Sequence, residues 1–172
     1  MNALLLPGMS ARHREWIRQV ADAVRPHFGE VRVLDYAHWD APGTEMDLES
    51  EIQRAAELAK DFGDYVVIGK SIATVLTTLA NARGSLQPQR CVLMGFPLSM
   101  VGALPQADEL AAALPQLPPT TFIHNANDPL GTAEQLREYL MAHTPANYQL
   151  IATPGDTHDY LDFDQMVQLA AS

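Results

Sequence analysis

Six short apolar runs alternate along the chain with longer segments of helical periodicity. The runs are residues 3–6, 31–35, 65–69, 91–95, 120–124 and 148–151. A short run that ends at turn residues such as Pro7-Gly8 is typical of a buried strand. Apolar strands that alternate with helices predict a parallel sheet covered on both faces, because each crossover carries a helix. The predicted fold class is therefore α/β, a three-layer sandwich with a six-stranded parallel sheet.

The helical segments give the remaining elements of this fold. They are residues 11–25, 47–61, 72–82, 106–114, 132–143 and 161–171. Ser10 is a candidate cap for the first of them, and Asp47 or Thr44 for the second. Residues 36–46 are predicted as a loop, and residues 97–119 as a proline-rich stretch around one short helix. A length of 172 residues predicts a single domain over 1–172.

Charge and composition exclude several classes of function. A net charge of −10 argues against nucleic acid or an anionic membrane as a partner, since both attract clustered Lys and Arg. The single cysteine, Cys91, rules out an internal disulfide. The first residues lack the basic start of a signal peptide, and no apolar run approaches transmembrane length. We therefore expect a cytoplasmic protein and leave its oligomeric state open.

Three loops that follow predicted strands carry reactive side chains. Ser71 follows the third strand, Asp128 the fifth and His158 the sixth. Carboxyl ends of parallel strands meet at one edge of a sheet, so we expect the three side chains to lie together. A serine hydroxyl is a weak nucleophile that needs a neighbouring base. His158 would take and return its proton, and Asp128 would fix the imidazole tautomer.

The local sequences around these residues resemble the α/β-hydrolase superfamily, and most closely its small, lidless bacterial members. The motifs are LLLPG at 4–8, VVIGKSIA at 66–73, FIHNANDPLG at 122–131 and PGDTHDY at 154–160. The order Ser, Asp, His is the triad order of that fold. The serine turn, Gly69-Lys70-Ser71-Ile72-Ala73, departs from G-x-S-x-G, but Ala73 is still small.

The resemblance extends over nearly the whole chain and implies further properties. The expected strand order is 2-1-3-4-5-6, a minimal α/β-hydrolase fold. The backbone N–H groups of Met9 and Ile72 would form the oxyanion hole. The expected function is a serine hydrolase that cleaves a carboxylic ester of a small acyl substrate through an acyl-enzyme on Ser71.

Each assignment has a simpler alternative. Ser71 is also a suitable helix cap, Asp128-Pro129 a plain turn, and His158 a solvated loop residue. A phosphate-binding loop is excluded, because position 64 is Asp64 where that motif needs glycine. Asp156, His158 and Asp159 lack the spacing of a zinc site, so we expect no metal and no cofactor.

The stretch from Phe96 to Pro119 is too short for a lid domain, which predicts an open cleft. The same site would suit a thioesterase or a small-amide hydrolase, and a binding protein without turnover remains open because fold alone does not decide function. The following apolar residues are candidates to line the pocket, although Trp39 and Phe96 are equally suited to ordinary packing: Met9, Trp39, Phe96, Leu98 and Met100.

Overall fold

The six predicted strands form one parallel sheet in the computed structural model, which describes residues 1–41, 43–143 and 148–172. The strands are β1 (Asn2–Leu6), β2 (Val31–Val33), β3 (Tyr65–Lys70), β4 (Arg90–Met94), β5 (Thr120–Asn125) and β6 (Tyr148–Thr153). Their order is β2-β1-β3-β4-β5-β6, and every neighbouring pair is parallel. The predicted fold class and strand order are confirmed.

Helices connect the strands, and the described structure contains more of them than the sequence predicts. They are α1 (His13–Val24), α2 (Leu48–Ala59), α3 (Ile72–Ala82), α4 (Leu98–Val101), α5 (Ala107–Ala113), α6 (Ala133–His143) and α7 (Phe163–Ala171). Short 3₁₀ helices occupy Arg25–His27, Ala37–Asp40 and Leu114–Gln116. The 3₁₀ helix Ala37–Asp40 lies in the stretch predicted as a loop, and α4 is a second helix in the proline-rich stretch 97–119, where only one was predicted. No helix in the described part of the chain is long and apolar enough to cross a membrane.

The two faces of the sheet are covered by different helices. Alternate strand residues point to opposite faces, so Leu4 and Val67 belong to one core while Leu5 and Val66 belong to the other. The first core lies under α2, α3, α5 and α6, and the second under α1 and α7. Strand β3 is buried along its whole length, as a central strand covered on both faces must be.

Local capping explains where two helices begin. The Asp47 carboxylate accepts hydrogen bonds from the N–H groups of Glu49 and Ser50 and caps α2, as predicted. At α6, Thr132 and Gln135 form a reciprocal capping box. Helix α1 begins at His13 without a side-chain cap, so the Ser10 side chain does not have the predicted capping role.

Candidate active site

Ser71 occupies a strained turn between β3 and α3. Its backbone angles are φ 56° and ψ −121°, a conformation that L-residues rarely adopt and that costs on the order of 1–3 kcal/mol. Two backbone hydrogen bonds of 2.8 Å hold it, from Ser71 N–H to the Met94 carbonyl and from Thr74 N–H to the Ser71 carbonyl. The hydroxyl itself caps nothing, so the simple capping alternative has no support in the geometry.

Small residues on either side of the serine make this turn possible. A Cβ at Gly69 would lie 3.2 Å from Leu93 Cδ2 and 3.4 Å from the Ala73 Cβ. Strand β3 and helix α3 thus approach closely enough that a side chain at position 69 would require Leu93 to shift by a few tenths of an ångström, whereas Ala73 already fits at position 73. The departure from G-x-S-x-G therefore does not disturb the turn.

Asp128 and His158 are in direct contact. His158 Nδ1 donates a 2.7 Å hydrogen bond to Asp128 Oδ2, and the Leu130 N–H donates to Oδ1 at 2.8 Å. The Asp128 side chain is fully buried, at 0% exposure. Burial would raise the pKa of Asp128, but the hydrogen bonds from His158, Tyr160 and Leu130 outweigh it and leave this pKa below its ordinary value. Asp128 therefore stays ionised and holds Nδ1 protonated.

The loop that carries Asp128 is closed by a buried histidine. His124 Nε2 donates a 2.6 Å hydrogen bond to the Gly131 carbonyl at the far end of the loop. Burial lowers the pKa of His124, so the ring is neutral near neutral pH.

Tyr160 is a site residue that the sequence analysis did not identify. Its hydroxyl donates to Asp128 Oδ2 at 2.7 Å and accepts from the Asn125 N–H at 3.1 Å. The Tyr160 carbonyl accepts a 2.7 Å hydrogen bond from Trp16 Nε1, which ties the histidine loop to α1. An aromatic residue two positions after a histidine is not a specific signal, so only the fold reveals this role.

The second nitrogen of His158 lies in the interior of the protein. Nε2 is buried and has no hydrogen-bond partner among the described residues. The adjacent Cε1 lies only 2.8 Å from where a Cβ at Gly95 would be, and Gly95 follows the Met94 carbonyl that holds Ser71. No hydrogen bond joins Ser71 to His158 in the described structure, as is common before a substrate binds.

The two predicted oxyanion donors lie in different structural elements, Ile72 at the start of a helix and Met9 in a loop. Ile72 is the first residue of α3, so its N–H has no partner within the helix. The Met9 carbonyl accepts hydrogen bonds from Trp39 Nε1 at 2.7 Å and His38 Nε2 at 2.8 Å. The 3₁₀ helix Ala37–Asp40 thus anchors the loop that carries Met9, a contact between distant parts of the chain that the sequence analysis missed.

Solved structures share this architecture. A protein from Xanthomonas campestris pv. campestris assigned to the α/β hydrolase superfamily is 20% identical, with a TM-score of 0.69 over 99% of this chain and 92% of the other. The chain has the α/β-hydrolase fold. No family model matches its sequence, and no curated protein does.

Two further structures with this fold differ more in sequence. The monoacylglycerol lipase of Paleococcus ferrophilus is 11% identical, with a TM-score of 0.73 over 99% of this chain and 93% of the lipase. The thioesterase domain of the curacin biosynthetic pathway is also 11% identical, with a TM-score of 0.71 over 99% of this chain and 91% of the domain. At these identities the likeness concerns the α/β-hydrolase fold.

The apolar residues predicted to line a pocket fall into two groups. Trp39 and Phe96 are packed in the core, against Tyr36 and Phe122 respectively, and expose almost no surface. Met9, Leu98 and Met100 remain partly or largely exposed. Leu98 lines a surface pocket of about 690 Å³ beside the loop of Asp128.

A metal site is a separate question from this pocket. Within residues 1–41, 43–143 and 148–172, no three His, Cys, Asp or Glu side chains are grouped so that they could hold a metal ion. Burial raises the pKa of the Cys91 thiol to about 12, which leaves it protonated and a poor ligand or nucleophile.

Proposed function

We propose that this protein is a serine hydrolase that cleaves a carboxylic ester of a small substrate through an acyl-enzyme on Ser71. The observation that carries the proposal is the 2.7 Å hydrogen bond between Asp128 and His158, whose other imidazole nitrogen is buried without a partner among the described residues. A histidine turned outward would instead have favoured a binding protein without turnover.

The proposed reaction uses each group in turn. Asp128 accepts the Nδ1–H of His158, so Nε2 carries a lone pair that takes the proton of Ser71 Oγ as Oγ bonds to the ester carbon. The N–H groups of Met9 and Ile72 stabilise the resulting oxyanion. Nε2 then gives its proton to the departing alcohol as the ester bond breaks. Water attacks the acyl-enzyme by the same route and releases the acid and free Ser71.

A fluorophosphonate probe tests the nucleophile directly. We expect the wild-type protein to be labelled, Ser71→Ala to remain unlabelled, and the exposed Ser99→Ala control to be labelled as the wild type is. Circular dichroism checks that each variant is folded. A folded wild-type protein that the probe does not label would overturn the proposal.

The leaving group separates esterase activity from related activities. The same site would act on thioesters or small amides, and a thioesterase domain shares this fold. Parallel assays with p-nitrophenyl esters and acyl-CoA thioesters of matched acyl length compare kcat/KM for the two classes. We expect the esters to be preferred. Acylation of Ser71 that is never followed by release of the acid would indicate a binding protein.

A further inference from the structure

Lys70, the residue before the proposed nucleophile, is a buried lysine. It is one of only two lysines in the chain and is 1% exposed. Its Nζ lies 3.0 Å from His13 Nε2, 3.7 Å from Asp159 Oδ1 and 5.2 Å from the centroid of the Trp16 ring. A long charged side chain is almost never buried this deeply without specific partners.

The partners of Lys70 lie at the start of α1, where His13 is the first helical residue, and in the loop of His158, which contains Asp159. The His13 imidazole packs on Gly8, where a Cβ would lie 2.6 Å from Cε1, and Gly8 precedes Met9 in the oxyanion loop. Asp159 follows His158 directly, and its carbonyl accepts a 3.0 Å hydrogen bond from Asn125 Nδ2. One ammonium group therefore contacts the loop of the proposed base through Asp159 and reaches the oxyanion loop through the His13 imidazole.

The charges around Lys70 fix the direction of these hydrogen bonds. Burial, with the charge of Lys70, lowers the pKa of His13 to about 4, so this imidazole is neutral and Nε2 accepts from the ammonium. Burial lowers the pKa of Lys70 to about 8, with Asp159 and Asp128 opposing the shift and Arg12 adding to it. Lys70 is thus a cation at pH 7 and begins to lose its charge just above that pH.

We propose that Lys70 is a positioning residue for acyl transfer, whose ammonium group holds the oxyanion loop through His13 and the loop of His158 through Asp159. The inference rests on the proposed function of Ser71. It assigns to Lys70 no contact with the substrate. Its effect is on the geometry of the groups that make such contact, and misplacing a catalytic group by about 1 Å costs roughly 100-fold in rate.

A positioning role and a role in stability predict different outcomes for Lys70→Met. Methionine has a similar length and avoids the cost of burying a charge, which offsets the hydrogen bond that His13 Nε2 loses. We expect Lys70→Met to melt close to the wild-type temperature at pH 7, yet to react with the fluorophosphonate roughly 10- to 100-fold more slowly. Lys60→Met, which removes the other, exposed lysine, should keep the wild-type rate.

The dependence of the labelling rate on pH gives a second test, because a lysine with a purely structural role would not affect it. In the wild type we expect the rate to decline above about pH 8, as Lys70 loses the charge that attracts Asp159. Lys70→Met should lack this decline. With only two lysines, ¹⁵N-lysine NMR follows the titration directly, because Lys60→Met identifies the signal of Lys70.

The outcomes separate this inference from the proposed function. A wild-type protein that is not labelled contradicts the proposed function and the inference with it. A labelled wild type alongside a Lys70→Met variant with unchanged rate and pH profile overturns the inference alone. If Lys70→Met does not fold, Asp159→Asn gives the same test at an exposed side chain, with slower labelling expected and an unchanged rate contradicting the inference.

Discussion

At the scale of single residues, the site depends on a carboxylate whose hydrogen bonds outweigh the cost of burying it. Asp128 accepts from His158, Tyr160 and the Leu130 N–H, which together satisfy both of its oxygens. Such a carboxylate remains ionised and fixes the imidazole tautomer that leaves Nε2 free to accept a proton. The sequence alone predicts Asp128 and His158 from their loops, but Tyr160 enters only through the fold.

Asp128→Asn tests this electrostatic role without changing the size of the side chain. The amide cannot stabilise the imidazolium, and its NH₂ group favours the wrong tautomer of His158, so we expect kcat for ester hydrolysis to fall by about 10⁴-fold. Asp156→Asn, an exposed change in the loop of His158, should leave kcat within about twofold. An Asp128→Asn variant that keeps most of its activity would remove Asp128 from the proposed triad.

At the scale of elements, the end of β4 supports the loops on both sides of it. The Met94 carbonyl holds the Ser71 N–H, and the Gly95 N–H donates to the Ile123 carbonyl at 3.0 Å. Gly95 has φ +60°, and a Cβ there would lie 2.6 Å from Tyr160 Cε2 and 2.8 Å from His158 Cε1. Only glycine fits this position, because it tolerates the backbone angle and leaves room for both rings.

Gly95→Ala should therefore displace His158 and Tyr160 while also straining the backbone. We expect a loss of stability of about 1–3 kcal/mol and a reduction in kcat of at least about tenfold. Gly102→Ala is the matched control, since Gly102 has φ −65° and open space around it. Urea unfolding and ester hydrolysis measure the two effects, and equal results for the two variants would show that Gly95 does not position these rings.

The helices and strands also show which secondary structure local sequence patterns fail to predict. Apolar runs predict strands well because a strand buried on both faces consists of consecutive apolar residues. The 3₁₀ helix Ala37–Asp40 has no such local sequence pattern, since it depends on Trp39 packing against Tyr36 and donating to the Met9 carbonyl. Tertiary contacts stabilise this 3₁₀ helix, so the local sequence alone predicts a loop.

At the scale of the whole molecule, the parallel topology of the sheet explains why many residues of the candidate site can be predicted from the sequence. Strands β3, β5 and β6 end at one edge of the sheet, so Ser71, Asp128 and His158 belong to loops at that same edge although they are far apart in sequence. Long-range contacts inside the core are different. The approach of Lys70 to His13, or of Tyr160 to Asp128, depends on side-chain packing that no local pattern encodes.

The buried histidines make the stability of the molecule sensitive to acid. Burial lowers the pKa of His13 to about 4 and also lowers that of His124, whereas an unfolded histidine has a pKa of about 6.5. Between pH 6.5 and about 4 the unfolded chain binds more protons at His13, so the free energy of unfolding falls as pH falls, by up to about 1.4 kcal/mol per pH unit, and His124 acts in the same direction below about pH 6.5. Above about pH 6.5 this contribution is complete.

Urea unfolding between pH 7 and pH 4 measures this dependence. We expect His13→Gln to reduce the slope of unfolding free energy against pH, because one proton no longer binds preferentially to the unfolded chain. The exposed His27→Gln should keep the wild-type slope. The slope is the informative quantity, because His13→Gln also alters contacts with Lys70 that shift stability equally at every pH in this range. Equal slopes for the two variants would mean that the fold does not suppress protonation of His13.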